Sequence, residues 1–192
     1  MSTPTRSAIE PLPGYRSQEV SLFVAQLEDQ TRRLREATRD LTPDELQWQA
    51  KPGMNSIGML FAHFAVVEVW WTGVVVKGEA APDIRSILGI GEDDDGLPLS
   101  EGAAPPAHLN GKDLAYFDDL LKRAREFYTK ALVGLTDADL SREVVRKRPD
   151  GSERTVTVRW YLYHVLEHFS GHFGQILLLR HMYRLARVPV KA

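Results

Sequence analysis

Three histidines, His164, His168 and His172, recur one helical turn apart in a chain that holds only six. At about 100° and 1.5 Å per residue, His168 and His172 face nearly the same way, about 6 Å apart along a helix axis. Such a pair can grip one divalent ion through its imidazole nitrogens. His164 and His172 would stand about 12 Å apart, too far to share that ion. The chelating pair is therefore His164–His168 or His168–His172, and His168 belongs to both. A fourth histidine, His63, sits about a hundred residues upstream among large apolar residues. Burying several imidazoles without partners is costly, whereas one shared cation satisfies their nitrogens. The competing reading is a stack of core histidines hydrogen-bonded to Tyr or Glu. His181 falls about 180° round the helix from His172 and His108 lies in a Pro-rich stretch, so neither is assigned.

The neighbours of the cluster carry weaker signals. Gly171 and Gly174 each lower helix propensity by about 1 kcal/mol relative to Ala, which points to close approach of another backbone or to room beside the site. Gln175 is placed to hydrogen-bond a ligand histidine or the first helix. Glu68 and Glu167 are turned away from the histidines by about 140° and 100° and read as surface charge. Trp70 and Trp71 read as packing in the core or at a dimer seam rather than as the cap of an organic pocket.

The elements that must position these groups are four long helical patterns. The first runs from about Ser17 to Leu41 with an apolar stripe at intervals of three and four. After it, Thr42-Pro43-Asp44-Glu45 forms a capping box that opens a short helical turn, and a similar phrase returns at 135–140. The second begins after Asn55 or Ser56 and continues to about Val76. It is apolar nearly all round, which makes it central or buried against a partner chain. The third spans about Lys112 to Leu132, and the fourth runs from Thr157 or Val158 to about Leu185. Turn residues 149–152 between β-branched flanks predict a hairpin over 144–157, just before the last helix. The expected architecture is an all-α four-helix bundle with that small hairpin, one domain over 1–192. Residues 1–14 read as a flexible lead-in. The stretch 78–110, with four prolines and the acidic run Glu92 to Asp95, reads as a long irregular loop of the kind that forms lids, binding loops or dimer arms.

Composition narrows the function. A formal charge of -2 offers no basic surplus for nucleic acid, and the arginines at 32, 33, 35 and 39 are interleaved with acids. With no cysteine in the chain, a thiolate nucleophile or a Cys-based zinc site is excluded, and any reactive thiol must arrive from outside. No signal-peptide core and no run of 18 apolar residues is apparent, so the expected compartment is the cytoplasm with no membrane partner. The apolar circumference of the second helix predicts a homodimer.

The residues His63 within 55–63, and His164, His168 and His172 running on to Phe173-Gly174-Gln175-Ile176, resemble the DinB-like superfamily, also called DinB/YfiT-like. The resemblance extends from the first helix to the last. It implies a four-helix bundle that binds a divalent metal, zinc or nickel being usual, through one histidine from the second helix and two from the last. By that pattern His63, His168 and His172 are the metal ligands, and His164 either orients a substrate or a ligand from outside the coordination shell or is a packed core histidine. Gln175 is placed in the same supporting role. The mycothiol-using branch carries Glu where this chain has His168, so the chain resembles more closely the three-histidine branch, which includes the bacillithiol-linked transferases. The implied activity is a metal-dependent S-transferase, detoxification or isomerisation reaction in which the metal activates an external low-molecular-weight thiol, or water. The alternative is a non-catalytic metal- or small-ligand-binding stress-related protein.

Overall fold

The computed structural model describes residues 8–147 and 150–187. Six helices and one hairpin follow in order: α1 (Gln18–Thr38), α2 (Pro43–Gln47), α3 (Ile57–Trp71), α4 (Ile84–Leu88), α5 (Leu114–Leu132), β1 (Glu143–Lys147), β2 (Glu153–Thr157) and α6 (Val158–Ala186). The expected all-α fold with a hairpin before the last helix is what the chain adopts. The first 7 residues of the expected lead-in, and Arg148 and Pro149 of the hairpin turn, lie outside the described residues.

Helix starts are set by side chains that satisfy otherwise orphaned amides. Ser17 accepts from the Val20 amide at 3.1 Å, Ser56 from Met59 at 3.3 Å, Asp113 from Tyr116 at 3.0 Å and Thr157 from Trp160 at 3.1 Å. At α2, Thr42 accepts from the Glu45 amide with Pro43 in the first turn, as its spelling predicts. The repeated phrase at 135–140 closes only a single tight turn, in which Asp139 accepts from both the amide and the hydroxyl of Thr136.

Helix α3 lies at the centre, packed against α2, α4, α5 and α6. Its length and hydropathy through Lys77 would suffice to cross a membrane, beyond what the sequence reading allowed, but 67% of that window is buried inside the fold. Most of its apolar circumference is thus covered within one chain, while Val67, Trp70, Trp71, Val74 and Val76 stay partly exposed. Past Trp71 the helix widens into a π-helical turn, Thr72–Lys77, ended by Gly78 at φ 73°, a left-handed conformation that favours glycine. Arg142, just ahead of β1, donates to the carbonyls of Val75 and Val76 at 3.0 Å each.

One reading gains detail and another is corrected. The stretch 78–110 carries α4 and a helical turn at Ala107–Leu109, with Ile84, Leu88, Ile90 and Leu109 buried. Its apolar residues are too few and too scattered among prolines to reveal a period, yet they suffice to fasten it to α3 and α5. Glu68 is not surface charge but 2% exposed in the core. It forms a two-point ion pair with Arg125 of α5 at 2.7 and 3.2 Å, and Arg125 also donates to Thr31 of α1 at 3.0 Å.

Candidate metal centre

Helices α3 and α6 meet through Phe64 and Phe169, whose rings stack with centroids 4.2 Å apart. That contact sets His63 of α3 against His168 and His172 of α6. Nε2 of His168 lies 3.0 Å from Nε2 of His63 and 3.1 Å from Nε2 of His172. Among the described residues these three form a group whose possible ligand atoms all lie within 4.8 Å of one another. Tetrahedral ligands at about 2.0–2.1 Å from one ion stand about 3.3 Å apart, close to both of these separations.

The outer nitrogens orient the inner ones. Nδ1 of His63 is 2.8 Å from Oδ2 of Asp95, and Nδ1 of His172 is 2.8 Å from Oε1 of Gln175. Carboxylate and amide oxygens accept, so both imidazoles carry their proton on Nδ1 and present an Nε2 lone pair to the centre. A neutral His168 can donate from Nε2 to only one of these two lone pairs, whereas one cation would satisfy all three nitrogens. Burial, helped by the neighbouring His172, His63 and His164, pushes the His168 imidazole down to about 3. His172 is also lowered, chiefly by burial. Near neutral pH His168 and His172 are therefore held in the unprotonated form that ligates, and an N₃ donor set of this shape fits a divalent cation.

His164, one turn before His168, stands apart from the cluster. Its ring stacks on Trp160 with centroids 4.7 Å apart and lies 5.8 Å from that of His168, while Nδ1 faces Glu167 Oε2 at 3.3 Å. Of the two helical pairs left open by spacing, His168–His172 is the one that converges with His63. Gln175 holds His172 rather than the first helix. Gly171 and Gly174 face open space with no approaching backbone, which leaves room beside the site.

Asp95 was missed. It ends an acidic run that looks solvated, 32 residues from the histidine it serves, and no local pattern marks it out. Yet it is 2% exposed, and its other oxygen accepts from the Leu97 amide at 2.9 Å. The tryptophans pack against the core, as their spacing implies. Trp70 and Trp71, half-buried, line a cavity of about 310 Å³ with His63, Asp95 and Arg146. The Arg146 guanidinium lies 4.1 Å from the Trp70 ring and 4.8 Å from that of Trp71. Arg154 covers Trp160 at 4.3 Å, so both strands of the hairpin lay cations over the aromatic wall. A second cavity, about 400 Å³, opens from His63 between Asn55 and 97–99.

Asp95→Ala is expected to weaken metal binding about 10–100-fold, the usual effect of removing a partner that orients a ligand histidine. Asp95→Asn, which keeps an accepting oxygen, should lose less. Competition with a chromophoric chelator measures both, and an unchanged affinity in the alanine variant would refute the orienting role.

Comparison with known proteins adds the lineage. The family model described as Mycothiol-S-transferase matches residues 22–184. A conserved protein from Enterococcus faecalis, known from its crystal structure, shares the fold with a TM-score of 0.63. It is 16% identical, and the match covers 85% of this chain and 95% of that one. No match was found among curated proteins.

Proposed function

The chain belongs to the Mycothiol-S-transferase family, one of the DinB/YfiT-like families, and from that premise we propose that it is a divalent-metal-dependent thiol S-transferase. The observation that carries this reading is the convergence of three imidazoles, two of which, His63 and His172, have their outer nitrogens already held by Asp95 and Gln175. His63, His168 and His172 would hold the cation, zinc or nickel being the metals the family resemblance implies. Three protein ligands leave a position open, and a cation there lowers the pKa of a bound thiol.

The remaining steps belong to the chain. With Nδ1 turned to Glu167, His164 has Nε2 left to take the thiol proton. The sulfur forms the new S–C bond as the leaving group departs with the electron pair of the bond that breaks. The absence of cysteine keeps the chain itself from competing as the nucleophile. The mycothiol named by the family is one candidate thiol, although the histidine at 168 alone pointed to the three-histidine branch.

The test joins metal analysis of untagged protein to a rate assay. Mycothiol, bacillithiol and cysteine are each offered with a fluorogenic bimane electrophile. The expected result is about one divalent ion per chain and a thiol-selective rate that a chelator abolishes and zinc or nickel restores. Stoichiometric metal without turnover of any thiol would leave a binding protein instead and overturn the transferase reading.

A further inference from the structure

A third cavity, about 330 Å³, opens on the opposite flank of the centre from Trp70 and Trp71, and its chemistry is different. Its walls are Met54, Asn55, Gln175, Leu178, Leu179 and Met182. Two of these residues tie it to the metal centre. Gln175 is hydrogen-bonded to His172, and Asn55 also lines the cavity that opens from His63. The rest is apolar, and two of the four apolar walls are methionines, whose flexible thioethers adapt to ligands of varied shape.

The wall at 51–54 is built rather than loose. Gln49 donates to the Met54 and Ala103 carbonyls at 2.6 and 3.2 Å, and the Gly53 amide donates to Ala103 at 2.8 Å. Gly53 has φ 86°, and a Cβ there would come within 2.6 Å of the Gly102 amide nitrogen, so only glycine permits this approach. Against that wall, Leu178 remains 58% exposed. A large apolar side chain open to water beside a concave apolar surface gains when an apolar ligand covers it.

We propose that this cavity is the subsite for an unbranched apolar chain on the electrophilic substrate, whose reactive carbon would then lie at the His63–His168–His172 centre. The inference rests on the transferase reading above. It divides the two substrates by polarity. The polar thiol is left the flank carrying Arg146, Glu92 and Asp93, and the apolar chain takes the methionine–leucine flank.

Straight-chain hydroxamates from two to eight carbons probe the subsite without turnover, because the hydroxamate head ligates a metal and the tail reports the cavity. Their affinities for the zinc-loaded protein are read by calorimetry. Affinity should rise about two- to fourfold per methylene until the cavity fills. In Leu178→Asp, and independently in Met182→Ser, that rise should flatten while acetohydroxamate binds as before. If acetohydroxamate fails to bind the loaded protein, the metal-centre reading falls and takes this proposal with it. If it binds but the wild-type series is flat, the subsite alone is overturned. A flat series in a dimer that Leu178→Asp dissociates would assign the face to a second copy of the chain. A rise that survives both substitutions would place the tail elsewhere and likewise overturn the assignment.

Discussion

Replacing His168 by alanine is expected to abolish stoichiometric metal binding, from about one ion per chain to near none. His168 is the centre of the group, its Nε2 3.0 and 3.1 Å from those of His63 and His172. Without it those two imidazoles keep their supports but lose the third donor that makes a closed face. His63→Ala and His172→Ala should each weaken binding severely by the same logic. His164→Ala should leave stoichiometry intact, because its ring is held against Trp160 outside the cluster, and should lower only the transfer rate. Elemental analysis of the four untagged variants decides the assignment. Full occupancy in His168→Ala, or loss in His164→Ala equal to that in His168→Ala, would refute it. Circular dichroism should remain helical in all four, since none of these side chains supplies the apolar core.

Breaking the ion pair between Glu68 and Arg125 should produce the largest loss of stability. Both groups are desolvated, Glu68 at 2% and Arg125 at 14% side-chain exposure, and each answers the other at two points. Glu68→Leu leaves an uncompensated buried cation and is expected to cost about 3–5 kcal/mol, on the order of 10 °C in Tm for a chain of this size. The double replacement Glu68→Leu with Arg125→Met should recover most of that loss, because two packed apolar side chains often equal a buried ion pair. Urea denaturation of both variants measures it. If the double variant were as unstable as the single one, shape at the site rather than stranded charge would be the cause.

The contrast between these two sets of residues shows what one sequence can disclose. The α6 histidines are legible because they repeat at helical spacing, so neighbours in space are neighbours in sequence. His63 is legible as one of the few polar residues in a strongly apolar run. The caps at Ser17, Thr42, Ser56 and Thr157 are local for the same reason, and the helix starts follow from them. Asp95 and Glu68 have partners 32 and 57 residues away. Asp95 is spelled like an ordinary surface acid, and although Glu68 stands in an apolar run, only the tertiary fold supplies the partner that answers it. Trp70 and Trp71 are legible in part, since they do pack against the core. Their apolar character was read correctly, but whether an indole faces the core or the rim of a cavity depends on where the hairpin arginines come to rest.

The wide turn at Thr72–Lys77 bears on the history of the chain. A regular helix rotates by 100° with each residue, so one inserted residue would swing every later side chain out of place. A π-helical turn absorbs such an insertion where it occurs. The turns ahead of it, carrying His63 and Trp71, keep their register. The hairpin beyond is fastened directly to the widened carbonyls by Arg142. Chain length can therefore drift by one residue between lineages at this point while the chemistry stays in place, and an alignment of relatives should open its gap here rather than among the histidines.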